Sequence, residues 1–235
     1  FPVFPTEWTN PETGDISSGY RESGYLPEAF INMLAFLGWN PGTPQELFSI
    51  NELCDSFSLE RVGKSGAKFD FDKTRWFNQQ YLRAKSKEEL AKNLQVILRE
   101  NGVEADDNFV ATVCEQLKER ATFVKDMWEE GKYYFVAPTS YDEKTIRKKW
   151  KEDTPNLLSE FKNRIETISD FSSENIEKEF KSYLEEKELE MGKLLPAFRV
   201  SLTGLGMGPS LFYIASLLGK EETIKRMETA LEKIN

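Results

Sequence analysis

The sequence predicts an all-α protein built from two helical domains. Apolar residues recur at three- and four-residue intervals along most of the chain, no stretch sustains the two-residue alternation of a half-buried strand, and start and stop signals for helices punctuate the pattern. No fixed-length repeat is present. At 235 residues the chain can bury one large core or two small ones.

Residues 1–24 are rich in Pro, Gly, Ser and Thr, with turn signals at Asn10-Pro11 and Thr13-Gly14, and read as an irregular lead-in with a short strand at Phe1–Phe4. From Leu26 the pattern turns helical: Pro27 suits a first helical position, Phe30, Met33, Leu34 and Leu37 recur at helical spacing, and Gly38 stops the run. A short helix is expected around Pro44–Phe48 and another from Ile50 to Phe57. Residues 69–83 form an amphipathic helix with acidic residues at its start, where the helix dipole favours them. Ser86-Lys87-Glu88-Glu89 is a capping box for a helix bearing Leu90, Leu94, Ile97 and Leu98, closed by Asn101-Gly102. Asp107 is expected to cap one helix carrying Val110, Val113, Leu117 and Val124 and ending at Gly131, with Tyr133–Pro138 as a connection. Leu157, Leu158, Phe161, Ile165 and Ile168 mark a further helix, and Ser173 is expected to cap another with Ile176, Phe180 and Leu184. Leu194–Leu202 and Leu211–Leu218 are strongly apolar helices, and a charged amphipathic helix runs from about Glu221 to the end. The break between the two domains is expected near residue 84, giving 1–84 and 85–235, the latter divisible at 135/136.

Composition narrows the chemistry. There is no histidine, which removes His-based triads and the commonest general base near neutrality. Two cysteines with no histidine cannot make a four-ligand zinc site, and Cys54 and Cys114 read as small core hydrophobes in a reducing cytoplasm. No apolar run approaches the roughly 20 residues a bilayer needs, and the first residues lack the basic and apolar regions of a signal peptide. The chain does not start with Met and is expected to begin partway through a larger polypeptide. Carboxylate pairs such as Glu129/Glu130 and Glu185/Glu186 lie in charged helical stretches and read as solvated faces, so no catalytic residue and no metal ligand is nominated.

Net charge is −9, which argues against nucleic acid unless basic residues are clustered. They are: Lys144, Arg147, Lys148, Lys149 and Lys151 surround Trp150, either as a solvated helix face or as a phosphate contact. Thr203-Gly204-Leu205-Gly206-Met207-Gly208-Pro209 lacks the Lys-Ser/Thr of a phosphate loop and follows no strand. It is either a helix–helix turn with glycine for close packing, or a place where backbone approaches a splayed base. In the second case Pro209 opens a helix with free N–H groups and Phe212 offers a ring for stacking.

Three blocks then carry a family likeness. The segment Ser18–Trp39, the segment Phe57–Asp70 leading into Lys73-Thr74-Arg75-Trp76-Phe77-Asn78, and Leu195–Gly204 with Gly208–Phe212 resemble, in that order, the region after the second ATP-site signature, the stem-contact region and the anticodon-binding segment of bacterial glutamyl-tRNA synthetases. The resemblance implies a stem-contact domain at 1–84 and an anticodon-binding helical cage at 85–235, with the HIGH-type and KMSKS-type motifs lying upstream. It implies that Arg120 reads the third anticodon base, that Arg199 contacts the anticodon, that Pro209, Leu211 and Phe212 hold its first and middle bases, and that Lys73 and Trp76 face the tRNA stem. Gly208 stands where some relatives carry Thr, removing one side-chain hydrogen bond. The implied partner is the tRNA for glutamate, not DNA or membrane, and the fragment is expected to be a cytoplasmic monomer that needs no cofactor and activates no glutamate. ATP and magnesium would serve the parent ligase. The competing reading is a helical protein-interaction scaffold with no RNA role; the acidic charge favours it, and the three ordered blocks favour the synthetase.

Overall fold

The computed structural model describes residues 4–64, 66 and 68–234. As the sequence predicts, it is all-α apart from one small hairpin, β1 (Trp8–Thr9) paired antiparallel with β2 (Ile16–Ser17). The helices are α1 (Pro27–Ala35), α2 (Ile50–Ser56), α3 (Phe71–Ala84), α4 (Lys87–Glu100), α5 (Asp107–Leu117), α6 (Val124–Phe135), α7 (Glu143–Lys149), α8 (Thr154–Glu166), α9 (Ser173–Glu186), α10 (Met191–Thr203), α11 (Leu211–Leu218) and α12 (Lys220–Lys233). Two compact units result, Phe1–Gly131 and Lys132–Asn235. Compactness thus divides the chain inside α6, near the subdivision expected at 135/136 rather than at 84.

In the first unit, Tyr20, Tyr25, Met33, Phe77 and Phe123 form an aromatic core between the lead-in, α1, α3 and the start of α6. Trp39, Phe48 and Leu53 form a second cluster beside it. The Ser86 box is present, with the hydroxyl accepting from Glu89 N–H and the Glu89 carboxylate accepting from Ser86 N–H. α4 and α5 pack on one another and bury Leu90, Leu94, Leu98, Val110, Val113, Cys114 and Leu117.

Asn78, fully buried on α3, ties three distant segments together. Its side-chain oxygen accepts from Leu26 N–H at 2.8 Å, at the N-cap of α1, and its amide donates to the Thr122 carbonyl at 2.6 Å. Asp126 accepts from the N–H groups of Thr122 and Phe123 and fixes the entry to α6.

The second unit packs Leu158, Phe161, Ile176, Phe180, Phe198, Leu202, Leu211, Phe212 and Met227 from α8 to α12 into one core. α7 is seated by Ile146 and Trp150, which pack with Tyr141 against Val200, Ala230 and Ile234. Arg226, 3% exposed, donates through Nη1 to the Tyr133 and Leu202 carbonyls and through Nε to Glu222. It thereby supplies a donor to carbonyls near the C-terminal ends of α6 and α10.

Several local expectations need correction. The strand expected at Phe1–Phe4 falls partly on residues 1–3, outside the described residues, and Phe4 is in a bend; Asn10-Pro11 and Thr13-Gly14 instead form the loop of the hairpin that follows. Residues 44–48 are not helical. The Asn32 side chain takes the Glu46 carbonyl and the Phe48 N–H, groups a helix would have used internally. The helix expected from Asp107 to Gly131 is two, broken by a turn at 118–120 and a bend at 122–123 before Val124. Asp106 rather than Asp107 caps the first, accepting from Asn108 and Phe109 N–H, and Ser172 rather than Ser173 sits at the N-cap of α9. Cys114 is buried as expected, but Cys54 is exposed.

Two outcomes follow. Asn78→Ala leaves a buried N–H and a buried carbonyl without partners, so it should cost about 2–5 kcal/mol in a urea unfolding series, and Asn78→Asp should not restore the loss because it cannot donate to Thr122. Burial pushes the Cys114 thiol from its ordinary 9.0 up to about 12. A thiol reagent should therefore titrate Cys54 alone in the native chain and both cysteines after denaturation. The folded-state pKa is raised, so the stability Cys114 contributes is fully present below the ordinary thiol value and is lost as pH climbs toward about 12.

Candidate nucleic-acid interface

The second unit's site is built around the glycine-containing segment that follows α10. Gly204 caps α10 with φ +75°, a left-handed conformation that favours glycine, and its carbonyl accepts from Asp142 N–H at 2.8 Å. A Cβ at Gly204 would lie 2.6 Å from the Ser140 carbonyl oxygen, and one at Gly206 would lie 2.1 Å from Thr145 Oγ1. Close packing is therefore part of what this segment does. Asp142 caps α7 by accepting from Thr145 N–H, and this hydrogen bonding holds its carboxyl below its usual range.

Arg199 projects from α10 toward the end of this segment. A Cβ on Gly208 would stand 3.1 Å from its Nη1, and that nitrogen is buried without a hydrogen-bond partner among the described residues. Desolvation pulls the guanidinium below its ordinary pKa, while the neighbouring Tyr133 and Tyr134 act in the opposite sense. A half-buried guanidinium with an unused donor favours an acceptor, and its planar fork suits a base edge or a phosphate.

Pro209 lies in a bend just ahead of α11; Ser210 is the N-cap and its hydroxyl makes no cap bond. Leu211 and Phe212 do occupy the first turn, but their side chains are 2% and 7% exposed and belong to the core, with the Phe212 ring 5.4 Å from that of Phe180. Of the two ways the sequence left open for a base to be held here, stacking on the ring or main-chain contact, burial of the Phe212 ring favours the main-chain N–H groups at the helix start.

In the first unit, Arg120 is exposed and sits in the turn after α5, not on a helix. Its guanidinium forms no ion pair or hydrogen bond among the described residues, whereas the turn around it is pinned. Arg83 Nη2 donates to the Glu119 carbonyl, Arg83 Nε lies 3.3 Å from the Glu119 carboxylate, and Lys118 pairs with Glu115 at 2.8 Å. Thr122 is held by Asn78. Lys73 pairs with Glu46 at 2.6 Å and lies over the Phe36 and Phe77 rings. Trp76, 36% exposed, edges against Phe77. α3 thus carries both, Trp76 with part of its ring open and Lys73 with its charge already matched.

A feature the sequence left undecided is the basic run. Lys144, Arg147, Lys148 and Lys149 are exposed on α7, and a cleft of about 530 Å³ is lined by Lys144, Lys148 and Lys149, by Asp142 and Thr145, and by Pro196, Leu205, Gly206 and Met207. The spacing of Lys144 and Lys148 on one helical face was readable; their meeting with Leu205 and Met207 was not.

Comparison with known proteins agrees with this geometry. The anticodon binding domain family matches residues 83–231, and the catalytic domain of class I tRNA synthetases (E and Q) matches residues 13–76. The chain is 53% identical over 232 residues to a glutamate–tRNA ligase of Phocaeicola vulgatus and 51% identical to one of Bacteroides fragilis, each time covering 99% of this chain and 46% of the relative. A crystal structure of a glutamate tRNA ligase from Elizabethkingia meningosepticum in complex with its amino acid superposes with a TM-score of 0.95 at 44% identity, over 100% of this chain and 47% of that one. A glutamate-tRNA synthetase from Elizabethkingia anophelis gives 0.89 at 43%, over 99% and 46%. The chain therefore spans about half the length of the relatives it matches. The likeness read from the three sequence blocks is borne out, and the chain belongs to the anticodon binding domain family.

Proposed function

We propose that this chain is the tRNA-reading part of a glutamate–tRNA ligase, gripping the tRNA for glutamate while the other half of the enzyme joins it to glutamate with ATP and magnesium. The observation that supports this most directly is Arg199, whose buried, unpartnered Nη1 faces the segment that leads to the open N-terminus of α11. In this reading Arg199, Pro209 and the first-turn N–H groups of Leu211 and Phe212 hold the first and middle anticodon bases, and Arg120, presented on its pinned turn, reads the third. Lys73 and Trp76 face the tRNA stem from a stem-contact domain at 1–84. Lys73 must then exchange Glu46 for phosphate, so its net contribution is small. The chain acts as a cytoplasmic monomer.

The isolated chain should bind this tRNA saturably and release it as salt rises. Arg120→Gln should weaken binding and relax selection at the third anticodon base, since a good bidentate base contact is worth about 1–3 kcal/mol of discrimination. Arg199→Gln should weaken binding while leaving third-base selection unchanged. Affinities for tRNAs differing only at that base, measured with the wild type and both variants, decide the matter; if Arg120→Gln alters neither affinity nor selectivity, Arg120 has no part in reading.

The same reading makes the glycine segment a positioning element. Gly206→Ala drives a methyl into Thr145 Oγ1 and should lower tRNA affinity by about tenfold, on the scale of the 1–3 kcal/mol that overpacking costs. Thr145→Ala in the same chain removes that oxygen and should recover most of the loss, which binding titrations of the two variants would show.

A further inference from the structure

The cleft beside α7 brings two properties together. Among the described residues, no ion pair engages Lys144, Arg147, Lys148 or Lys149. The one carboxylate lining the cleft, Asp142, accepts from Thr145 N–H, and hydrogen bonds from Thr145 together with the Lys144 charge hold it below its usual range. The same cleft also presents apolar side chains to solvent: Met207 is 85% exposed and Leu205 46%, large fractions for side chains on a turn pressed so closely against its neighbour.

Three lysines against a single carboxylate, sharing a cleft with exposed apolar side chains, match one chemistry, a splayed nucleotide, whose phosphate is anionic and whose base has an apolar face. We propose that this cleft receives a nucleotide of the bound tRNA neighbouring the one held at Arg199, with its phosphates against Lys144, Lys148 and Lys149 and its base laid on Met207 and Leu205. The proposal rests on the reading of this unit as a tRNA binder and adds a subsite to it. Pro196, Leu205 and Met207 offer no hydrogen-bonding side chain to a base edge, so stacking on them takes any base. It contributes affinity and register rather than sequence discrimination.

The test uses the 235-residue chain and a transcribed tRNA bearing a glutamate anticodon, with affinity measured across a salt series. Replacing Lys144, Lys148 and Lys149 together by Gln should weaken binding and reduce the slope of log affinity against log salt by about 1–2, at roughly 0.7 per single-strand phosphate contact. Met207→Ser should weaken binding by about threefold to tenfold, as expected for losing the burial of one apolar side chain, with the slope unchanged. Both losses should be the same for every base at the neighbouring positions of the loop. A control in which the exposed Lys178, Lys225 and Lys233 become Gln makes the same change in net charge and should keep most of the slope.

If Arg199→Gln weakens binding while the lysine and Met207 variants behave as wild type, the subsite is overturned and the tRNA reading stands. A slope lost equally in the control, or a silent Met207→Ser, also overturns it, since general attraction would then account for the lysines. Failure of the wild-type chain to bind tRNA removes both readings, and capture of a polyglutamate peptide by the lysines in its place would assign the cleft to an acidic protein partner.

Discussion

Gly204 and Gly206 let the chain leaving α10 lie against residues 138–145 at a separation that a side chain at either position would forbid. Much of the second unit's candidate site follows from that approach. It sets the Gly204 carbonyl on Asp142 N–H, next to the residue that caps α7. It brings Leu205 and Met207 to the edge of α7, and it ends at Gly208, where Arg199 has an unused nitrogen. Behind the segment, Arg226 closes the carbonyl ends of α6 and α10, so the loop departs from a braced helix end.

A chain with net charge −9 can attract a polyanion only through local fields, and the structure separates the charges accordingly. Many cations are neutralised pairwise, as in Lys73–Glu46, Lys162–Glu228 and Lys193–Asp153. Those on α7 are not, and Arg120 stands unpaired on its turn. Exposed pairs of the first kind add little to stability, but they remove charge that would otherwise attract phosphate anywhere on the surface. The cations of α7 lie beside exposed apolar side chains, so charge and apolar surface meet there.

Helix class and most helix bounds were legible because they rest on local chemistry. The Ser86 box, Pro27 at the start of α1 and the glycine stops act within a turn of themselves. The break after Leu117 was hidden because Val124 lies seven residues on, so the apolar stripe stays in phase across the interruption. The extended run at 44–48 was hidden because the competitor for its backbone is Asn32, well upstream. At the site, the family likeness picked out Arg199 and the glycine segment. Phe212 could not be judged from its own neighbours: a ring in a helix's first turn suits stacking or packing equally, and only the approach of Phe180 decides. The cleft of α7 needed residues 144–149 and 205–207 to be brought together, which no local pattern encodes.

Asn78 has a bearing on how the molecule reaches its folded form. Its two bonds span 52 and 44 residues, so substantial loop-closure entropy must be met before either can form. The α4–α5 pair, joined by a short connection and stitched by local contacts, faces no such barrier. Formation of the turn that bears Arg120 is therefore split in time. Its flanking helix α5 can assemble early, whereas its anchorage waits for α3 to dock with both Leu26 and Thr122. A nascent chain can carry the full length of this turn and still present it loosely until that one amide closes.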